Sequence, residues 1–266
     1  MSDGRSRPAE ATAAPVAAAA RSFTAWKLDL VDLSRVRRAL DAGCGRGALT
    51  HELRRRIAPA GLVLAIDLDA AAVRSAAMRP AVAGAVADIR NAPCGDAAFD
   101  LVTAGHVLYY AVDLRAWLAE LRRVLRAGGV LLASANSQFA GRRLLELHAE
   151  ACRRAGRAEM ARRALRPGPR DRFTLENGAD ALQETFRDVR LHVRDGPLVL
   201  ADVDVALGFY CGGLHMRGAE RVDSESQMRE LAAQLAPHMR DLLMDVVEAD
   251  GSIVIPRRSG CFVARP

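Results

Sequence analysis

The chain has 266 residues, 50% of them hydrophobic and 26% charged, and a formal net charge of +6. That balance suits one large α/β domain, or one domain with a cap, and excludes a collagen-like or wholly disordered chain. No stretch reaches the roughly eighteen apolar residues of a spanning helix, so no membrane partner is expected. Lys27 is the single lysine among 38 basic residues. Arginine stays protonated, which leaves Lys27 and the N-terminus as the possible amine nucleophiles. The five cysteines, Cys44, Cys94, Cys152, Cys211 and Cys261, are far apart and form no C-x-x-C. They read as reduced thiols of a cytoplasmic protein, with neither a disulfide framework nor a metal site.

Residues 1–20 form an Ala- and Pro-rich segment without periodicity, expected to be a disordered leader ahead of a domain over 21–266. Val36–Leu40 is a short β-prone run that ends in Asp41 and a glycine-rich turn, and Leu49, Leu53 and Ile57 then recur at helical spacing. Leu62–Ile66 predicts a second strand ending in Asp67, followed by an Ala-rich helix to about Met78. Val82–Val86, Phe99–Thr103 and Val130–Ala133 predict three more strands, the first of them ending in Asp88. Leu114, Trp117, Leu118, Leu121, Val124 and Leu125 share one helix face, with Asp113 suited to the N-cap and Gly128-Gly129 to the stop. Strands alternating with helices in this way argue a parallel sheet covered on both faces.

After Asn136 the rhythm changes. Helical insertions are expected at about 140–172 and 203–249, the first ending in Pro167-Gly168-Pro169. Between them lie a helix near Glu176–Phe186, a strand at Val189–Val193 and a β-prone stretch at Leu198–Leu200. In the second insertion Met228, Leu231, Leu235, Met239, Leu242 and Val246 form an apolar stripe interrupted by Pro237, which reads as a helix packed on its own domain. Ser252–Ile255 and Gly260–Ala264 close the chain as two short β runs.

The turn Asp41-Ala-Gly43-Cys-Gly45-Arg-Gly47 sits where the first strand meets the first helix. Its glycines permit a tight turn and close approach of a ligand, and the helix N-terminus points donors at it. Gly43-x-Gly45-x-x-Ala48 also satisfies the dinucleotide fingerprint, with Asp67 about where a ribose-binding acid is expected. A nicotinamide-dependent oxidoreductase is therefore one reading. Against it, Asp41 puts a carboxylate beside the place of a pyrophosphate, Asp88 adds a third acid, and Lys27 as the only lysine rules out a Tyr-x-x-x-Lys dyad. Three acids without a phosphate clamp suit a cationic ligand that lacks phosphate, such as S-adenosylmethionine.

Taken as an ordered set, Asp41–Gly47, Asp67, Asp88-Ile89, Phe99-Asp-Leu-Val-Thr-Ala104 and Leu121-Arg-Arg-Val-Leu-Arg-Ala-Gly-Gly129 resemble the class I S-adenosylmethionine-dependent methyltransferases. The closest likeness is to the small-molecule branch related to quinone-biosynthesis methyltransferases, which Gly105–Tyr110 and Phe173–Gly178 also resemble. It spans roughly residues 23–200 and the final strand. The resemblance implies a doubly wound, Rossmann-like α/β fold: seven strands, mostly parallel, with Gly260–Ala264 antiparallel, and helical insertions forming a cap. It also implies S-adenosylmethionine as cofactor. Gly43, Gly45 and Gly47 would hold its methionine end, Asp41 the amine, and Asp67 the ribose hydroxyls. Leu68 and Ile89 would lie against the adenine, Asp88 would take the adenine amino group, and the carbonyl of Ala104 would face the methionine amine.

Ligands of open α/β sheets bind outside the carboxyl ends of the strands. There the loop after the fourth strand carries His106, Tyr109 and Tyr110, and the turn after the fifth carries Asn136. Methyl transfer is an in-line displacement that alignment alone accelerates, and a base is needed only for an acceptor protonated at neutral pH. His106 is the candidate base, because histidine ordinarily titrates near neutrality. Tyr109, Tyr110 and Asn136 are candidate acceptor contacts, and Phe23 and Trp26 could close over the site or serve as apolar anchors.

Residues 142–172 hold ten arginines against Glu146, Glu150, Glu159 and Asp171. This basic segment reads as a solvated helical cap with its glutamates paired along the surface, or as a grip for RNA. The expected function is methylation of a small-molecule acceptor at oxygen, nitrogen or carbon. The rivals are an RNA methyltransferase, a nicotinamide-dependent oxidoreductase and a non-catalytic binding module.

Overall fold

The computed structural model describes residues 23–166, 168–214 and 224–266, so the expected leader over 1–20 lies outside the described residues. The chain divides into two compact units. The larger comprises residues 23–138, 169–195 and 258–266, and the smaller the described residues of 139–166, 168, 196–214 and 224–257.

The larger unit is built on a seven-stranded sheet in the order β3-β2-β1-β4-β5-β9-β6. Its strands are β1 (Arg38–Ala42), β2 (Leu62–Asp67), β3 (Val82–Val86), β4 (Phe99–Gly105), β5 (Leu125–Asn136), β6 (Asp188–Asp195) and β9 (Arg258–Arg265). β9 runs antiparallel between β5 and β6, and the remaining strands are parallel, as the resemblance implied. The strand order reverses at β1 and β4, which creates a crevice at the carboxyl edge between them.

One sheet face packs Ala39, Leu101, Leu132 and Val263 against Leu28, Leu49 and Leu53, from α1 (residues 23–28) and α2 (Ala48–Arg56). The other packs Leu40, Val102, Leu131 and Phe262 against Leu118 and Leu121 of α4 (Leu114–Val124) and Leu182 of α7 (Gly178–Gln183). Burying each of the Leu, Val and Phe side chains among these stabilises the fold by about 1.5–3 kcal/mol. Asp113 caps α4 by accepting from the Ala116 N–H at 3.0 Å, as its sequence position suggested. Asp69 caps α3 (Ala70–Ala76) in the same manner through the Ala71 N–H.

Two element boundaries differ from the sequence reading. β1 begins at Arg38, because the Val36 N–H bonds to the Leu33 carbonyl in a preceding turn; Asp41 is therefore inside the strand. Gly128-Gly129 does not stop α4, which ends at Val124 and passes directly into β5. The glycines lie where the β4–β5 register slips between the Phe99–Leu125 and Leu101–Val130 pairs, and Gly128 takes the φ of +74° that the irregularity requires.

The smaller unit has its own apolar core. It contains α5 (Arg142–Arg154), α6 (Ala158–Ala164), α8 (Val203–Gly212) and α9 (Glu225–Met244), with an antiparallel pair of β7 (Leu198–Leu200) and β8 (Ile253–Ile255). Leu231, Leu235, Met239 and Leu242 of the sequence stripe are buried in this core. Pro237 does not interrupt α9, which continues through it. Inside, the ring of fully buried His148 meets the Tyr210 hydroxyl at 2.7 Å, satisfying two polar groups that would be costly alone. Along α5 and α6 each glutamate takes two arginines: Glu146 with Arg142 and Arg143, Glu150 with Arg153 and Arg154, and Glu159 with Arg162 and Arg163. Exposed pairs at this spacing add only about 0.3–0.5 kcal/mol each. Three carboxylates shared among six arginines leave the segment strongly basic. Among the described residues no helix is long and apolar enough to cross a membrane.

Candidate functional site

Alternation along β1 sends Leu40 and Ala42 to the α4 side and Asp41 to the α2 side. Asp41 is 1% exposed. Its Oδ2 accepts from the Thr50 hydroxyl of α2 at 2.6 Å, and its Oδ1 from the Thr103 hydroxyl of β4 at 2.7 Å. Burial raises the carboxyl above its ordinary pKa. The two hydroxyls and the charge of Lys27 oppose that rise, and Asp67 adds to it. Asp41 thus ties β1, α2 and β4 together immediately before the glycine turn.

The turn is pinned from below by the N–H groups of Gly43 and Cys44, which donate to the Ile66 carbonyl at 2.8 and 3.0 Å. Gly43 has φ +73°, and a Cβ there would stand 2.4 Å from Val107 Cγ2. Gly47, at φ +86°, comes equally close to α3: a Cβ would lie 2.6 Å from Ala76 Cα. Only glycine fits either position. Gly45 instead faces open space, and its N–H donates to Asp67 Oδ2 at 2.9 Å. The Cys44 thiol is pushed up to about 12, first by burial and then by the carboxylates of Asp41 and Asp67, so it carries no thiolate chemistry near neutral pH.

Asp67 ends β2 half-buried, and its Oδ1 accepts from the Asp69 N–H at 3.0 Å. Each of its oxygens has one protein donor and so retains acceptor capacity. Leu68, next in the chain, is 69% exposed. Asp88 lies beyond β3 at the same sheet edge, with Ile89 buried beside it. Its Oδ1 accepts from the Arg90 N–H, and its Oδ2 from both Nε and Nη2 of Arg90. Arg90 holds this carboxyl below its usual range. The sequence reading missed this partner, although an acid and an arginine two residues apart after a strand were visible.

Ala104 is fully buried near the end of β4, and Gly105 and His106 follow it. His106 adopts φ +55°, a conformation unusual for a side-chain-bearing residue and one that costs about 1–3 kcal/mol. Its N–H donates to the Ser134 carbonyl at 3.0 Å, and its ring lies 5.5 Å from that of Phe23. Phe23 also contacts Trp26, at 5.3 Å. Tyr109 is half-buried and Tyr110 53% exposed, with ring centroids 4.6 Å apart. Burial, reinforced by Tyr110, keeps the Tyr109 phenol protonated. Asn136, at the end of β5, accepts from the Ser259 hydroxyl at 2.6 Å, so its carbonyl oxygen is engaged with β9. Thr50, Thr103 and Ser134 are the polar residues that sequence reasoning overlooked. Thr103 and Ser134 stood out as hydroxyls within apolar runs, whereas Thr50, in the charged helix α2, left no such signal.

Five strand ends thus meet along one carboxyl edge, with the glycine turn at the reversal between β1 and β4. Residues 40–133 match the methyltransferase domain family. Among curated proteins it is 39% identical over 111 residues to malonyl-[acyl-carrier protein] O-methyltransferase of Hahella chejuensis, covering 40% of this chain and 39% of that one. It is 37% identical over 97 residues to 2-phytyl-1,4-naphtoquinone methyltransferase of Nostoc punctiforme, covering 34% of this chain and 42% of that one. The match therefore spans about two fifths of these relatives' length. Among solved structures, geranyl diphosphate methyltransferase in complex with S-adenosylmethionine shares the fold with a TM-score of 0.51 at 17% identity, over 96% of this chain and 90% of that one.

Proposed function

We propose that this chain transfers a methyl group from S-adenosylmethionine to oxygen, nitrogen or carbon of a small-molecule acceptor. The observation that carries this reading is the Gly45–Asp67 bond, which holds a carboxylate with spare acceptor capacity beside a bare glycine backbone. A ribose diol needs such a pair of adjacent acceptors, so the residues present fit the cofactor. The names of the two curated relatives, one acting on a carrier-bound malonyl group and one on a naphthoquinone, support a small acceptor.

In this reading Gly43, Gly45 and Gly47 cradle the methionine end, and Asp41 acts through the turn it anchors. Asp67 accepts from the ribose hydroxyls, exposed Leu68 covers the adenine, and Ile89 supports its edge. Asp88 receives the adenine amino group on Oδ1, the oxygen that Arg90 engages only once. The Ala104 carbonyl faces the amine. When bound, the cofactor supplies an electrophilic methyl on a sulfonium.

The strained His106 is held at the end of β4 to take the acceptor's proton, while Phe23 and Trp26 exclude water from that side. Tyr109, as a protonated phenol, serves as a hydrogen-bond donor, and Tyr110 and Asn136 line the acceptor side. His106→Ala is expected to lower turnover about 100- to 10,000-fold with little change in cofactor affinity. Unchanged turnover on the same acceptor would remove the base role.

Calorimetric titration of the full chain with S-adenosylmethionine, S-adenosylhomocysteine and NAD(H) tests the cofactor itself. Micromolar binding of the first two and none of the third is expected. Binding of the dinucleotide alone, or of none of them, sinks the proposal.

A further inference from the structure

An open sheet has two edges, and the longer edge strand here is β6. Among the described residues no strand lies beyond it, and its sequence reads Asp188-Val-Arg-Leu-His-Val-Arg-Asp195. Alternation puts Val189, Leu191 and Val193 on one sheet face, and Asp188, Arg190, His192 and Arg194 on the other. Val189 packs against the core, but Leu191 is 38% and Val193 47% exposed.

The backbone is also free at these apolar positions. The Gly196 N–H donates to the Arg257 carbonyl, and the same pairing continued along β9 sets Arg194 opposite Ser259 and His192 opposite Cys261. Even-numbered residues of β6 therefore turn their N–H and C=O groups towards β9. The His192 carbonyl agrees, since a Cβ on Gly260 of β9 would stand 2.7 Å from it. Val189, Leu191 and Val193 turn theirs away from the sheet, where another strand would pair.

The side chains select which strand that is. With a second β6 antiparallel and Leu191 facing Leu191 on a two-fold axis, Val189 faces the partner's Val193 and Asp188 faces the partner's Arg194. Asp188 is 40% exposed and, although Arg190 and Arg265 already donate to it, a carboxylate has capacity for a further donor. A slip of two residues in one direction sets Arg190 against Arg190, and in the other Arg190 against Arg194, both like-charge pairs. A slip of one residue would put the apolar face of one copy beside the charged face of the other. The opposite edge, β3, has five residues and no charged side chain to fix a register.

We propose that two copies of this chain join edge to edge through β6, with the two-fold axis at Leu191, into one continuous sheet. Leu191 exchanges both backbone hydrogen bonds with its counterpart, and Val189 and Val193 exchange theirs crosswise. The exposed apolar side chains then cover one another on one face, while the Asp188–Arg194 pair forms twice on the other.

Sedimentation of the full chain over a range of concentrations should show the mass rising from 28.6 kDa towards twice that value. A dissociation constant of about 1–100 μM is expected for an interface of modest size. Leu191→Lys brings two ammonium groups together on the axis and should leave a monomer with wild-type circular dichroism. Asp188→Arg and Arg194→Asp each set like charges opposite one another twice, so each alone should weaken association about 10- to 100-fold. Mixed in equal amounts, the two variants again match opposite charges at both places and should associate as wild type does. That rescue cannot come from misfolding. In wild type, amide exchange at Leu191 and Val193 should slow as concentration rises, a readout that needs no variant. A wild type that remains monomeric throughout would overturn the proposal. So would a dimer that survives Leu191→Lys, which must join elsewhere, or folded charge variants that do not associate when mixed.

Discussion

Asp67→Ala is expected to weaken S-adenosylhomocysteine binding about 100-fold while changing the stability of the fold by only about 1 kcal/mol. The carboxylate's two protein bonds, from the Gly45 and Asp69 N–H groups, are short but lie at a half-exposed edge where water replaces them readily. Its bonds to a ribose diol are charge-assisted and shielded by the bound ligand, and each is worth about 1.5–3 kcal/mol. Asp67→Asn separates the two roles. The amide still offers Gly45 an oxygen, but it replaces one acceptor for the diol with a donor, so its affinity should fall between wild type and the alanine variant. Calorimetry with parallel urea unfolding reads both quantities. Wild-type affinity in Asp67→Ala would remove this residue from the cofactor seat. A loss of stability matching the loss of affinity would make it an anchor of the turn.

Much of this edge was legible before any coordinates. β3 has the limits its apolar run suggested, and the acids at positions 41, 67 and 88 fall in or just beyond three neighbouring strands because hydrophobic runs and glycines punctuate a doubly wound sheet regularly. The partners of those acids were less legible. Asp41 and Thr103 are joined across two strands that are adjacent in the sheet but 62 residues apart in sequence. Alternation along β1 alone did not say that Asp41 faces α2, because the apolar run starting at Val36 placed the strand two residues too early. Gly128-Gly129 misled for a related reason: two glycines stop a helix or relax a strand irregularity equally well, and only the β4–β5 register distinguishes the cases. A lone buried lysine leaves no periodic trace at all. Lys27 could be singled out by composition, but its surroundings of Ser134, Gly105 and Asp41 come from three different strands.

The largest effect on the fold is expected at Asp41. Asp41→Ala leaves the Thr50 and Thr103 hydroxyls without their shared acceptor and removes the carboxylate that helps keep buried Lys27 charged. Leaving two buried hydroxyls without their acceptor costs about 1–3 kcal/mol each, a large fraction of the stability of an ordinary domain. Asp41→Asn removes the charge but keeps an oxygen for one hydroxyl and N–H donors for the other, so its cost should be smaller and should depend on pH in a defined direction. The Asp41 carboxyl has a folded-state pKa above its ordinary value because burial penalises the anion. Its contribution is therefore complete below the unfolded-state pKa and declines as pH rises through the folded-state value. The asparagine cannot titrate. The stability gap between wild type and Asp41→Asn should accordingly narrow from about pH 4 towards neutrality. Urea unfolding of both proteins across that range measures the gap directly, and the other carboxyls, common to both, cancel in the difference. A gap that widens with pH would mean that the two threonines and Lys27 stabilise the anion more than burial opposes it. Asp41 would then be a fixed charge beneath the turn, with its hydroxyl partners as the dominant influence on its ionisation.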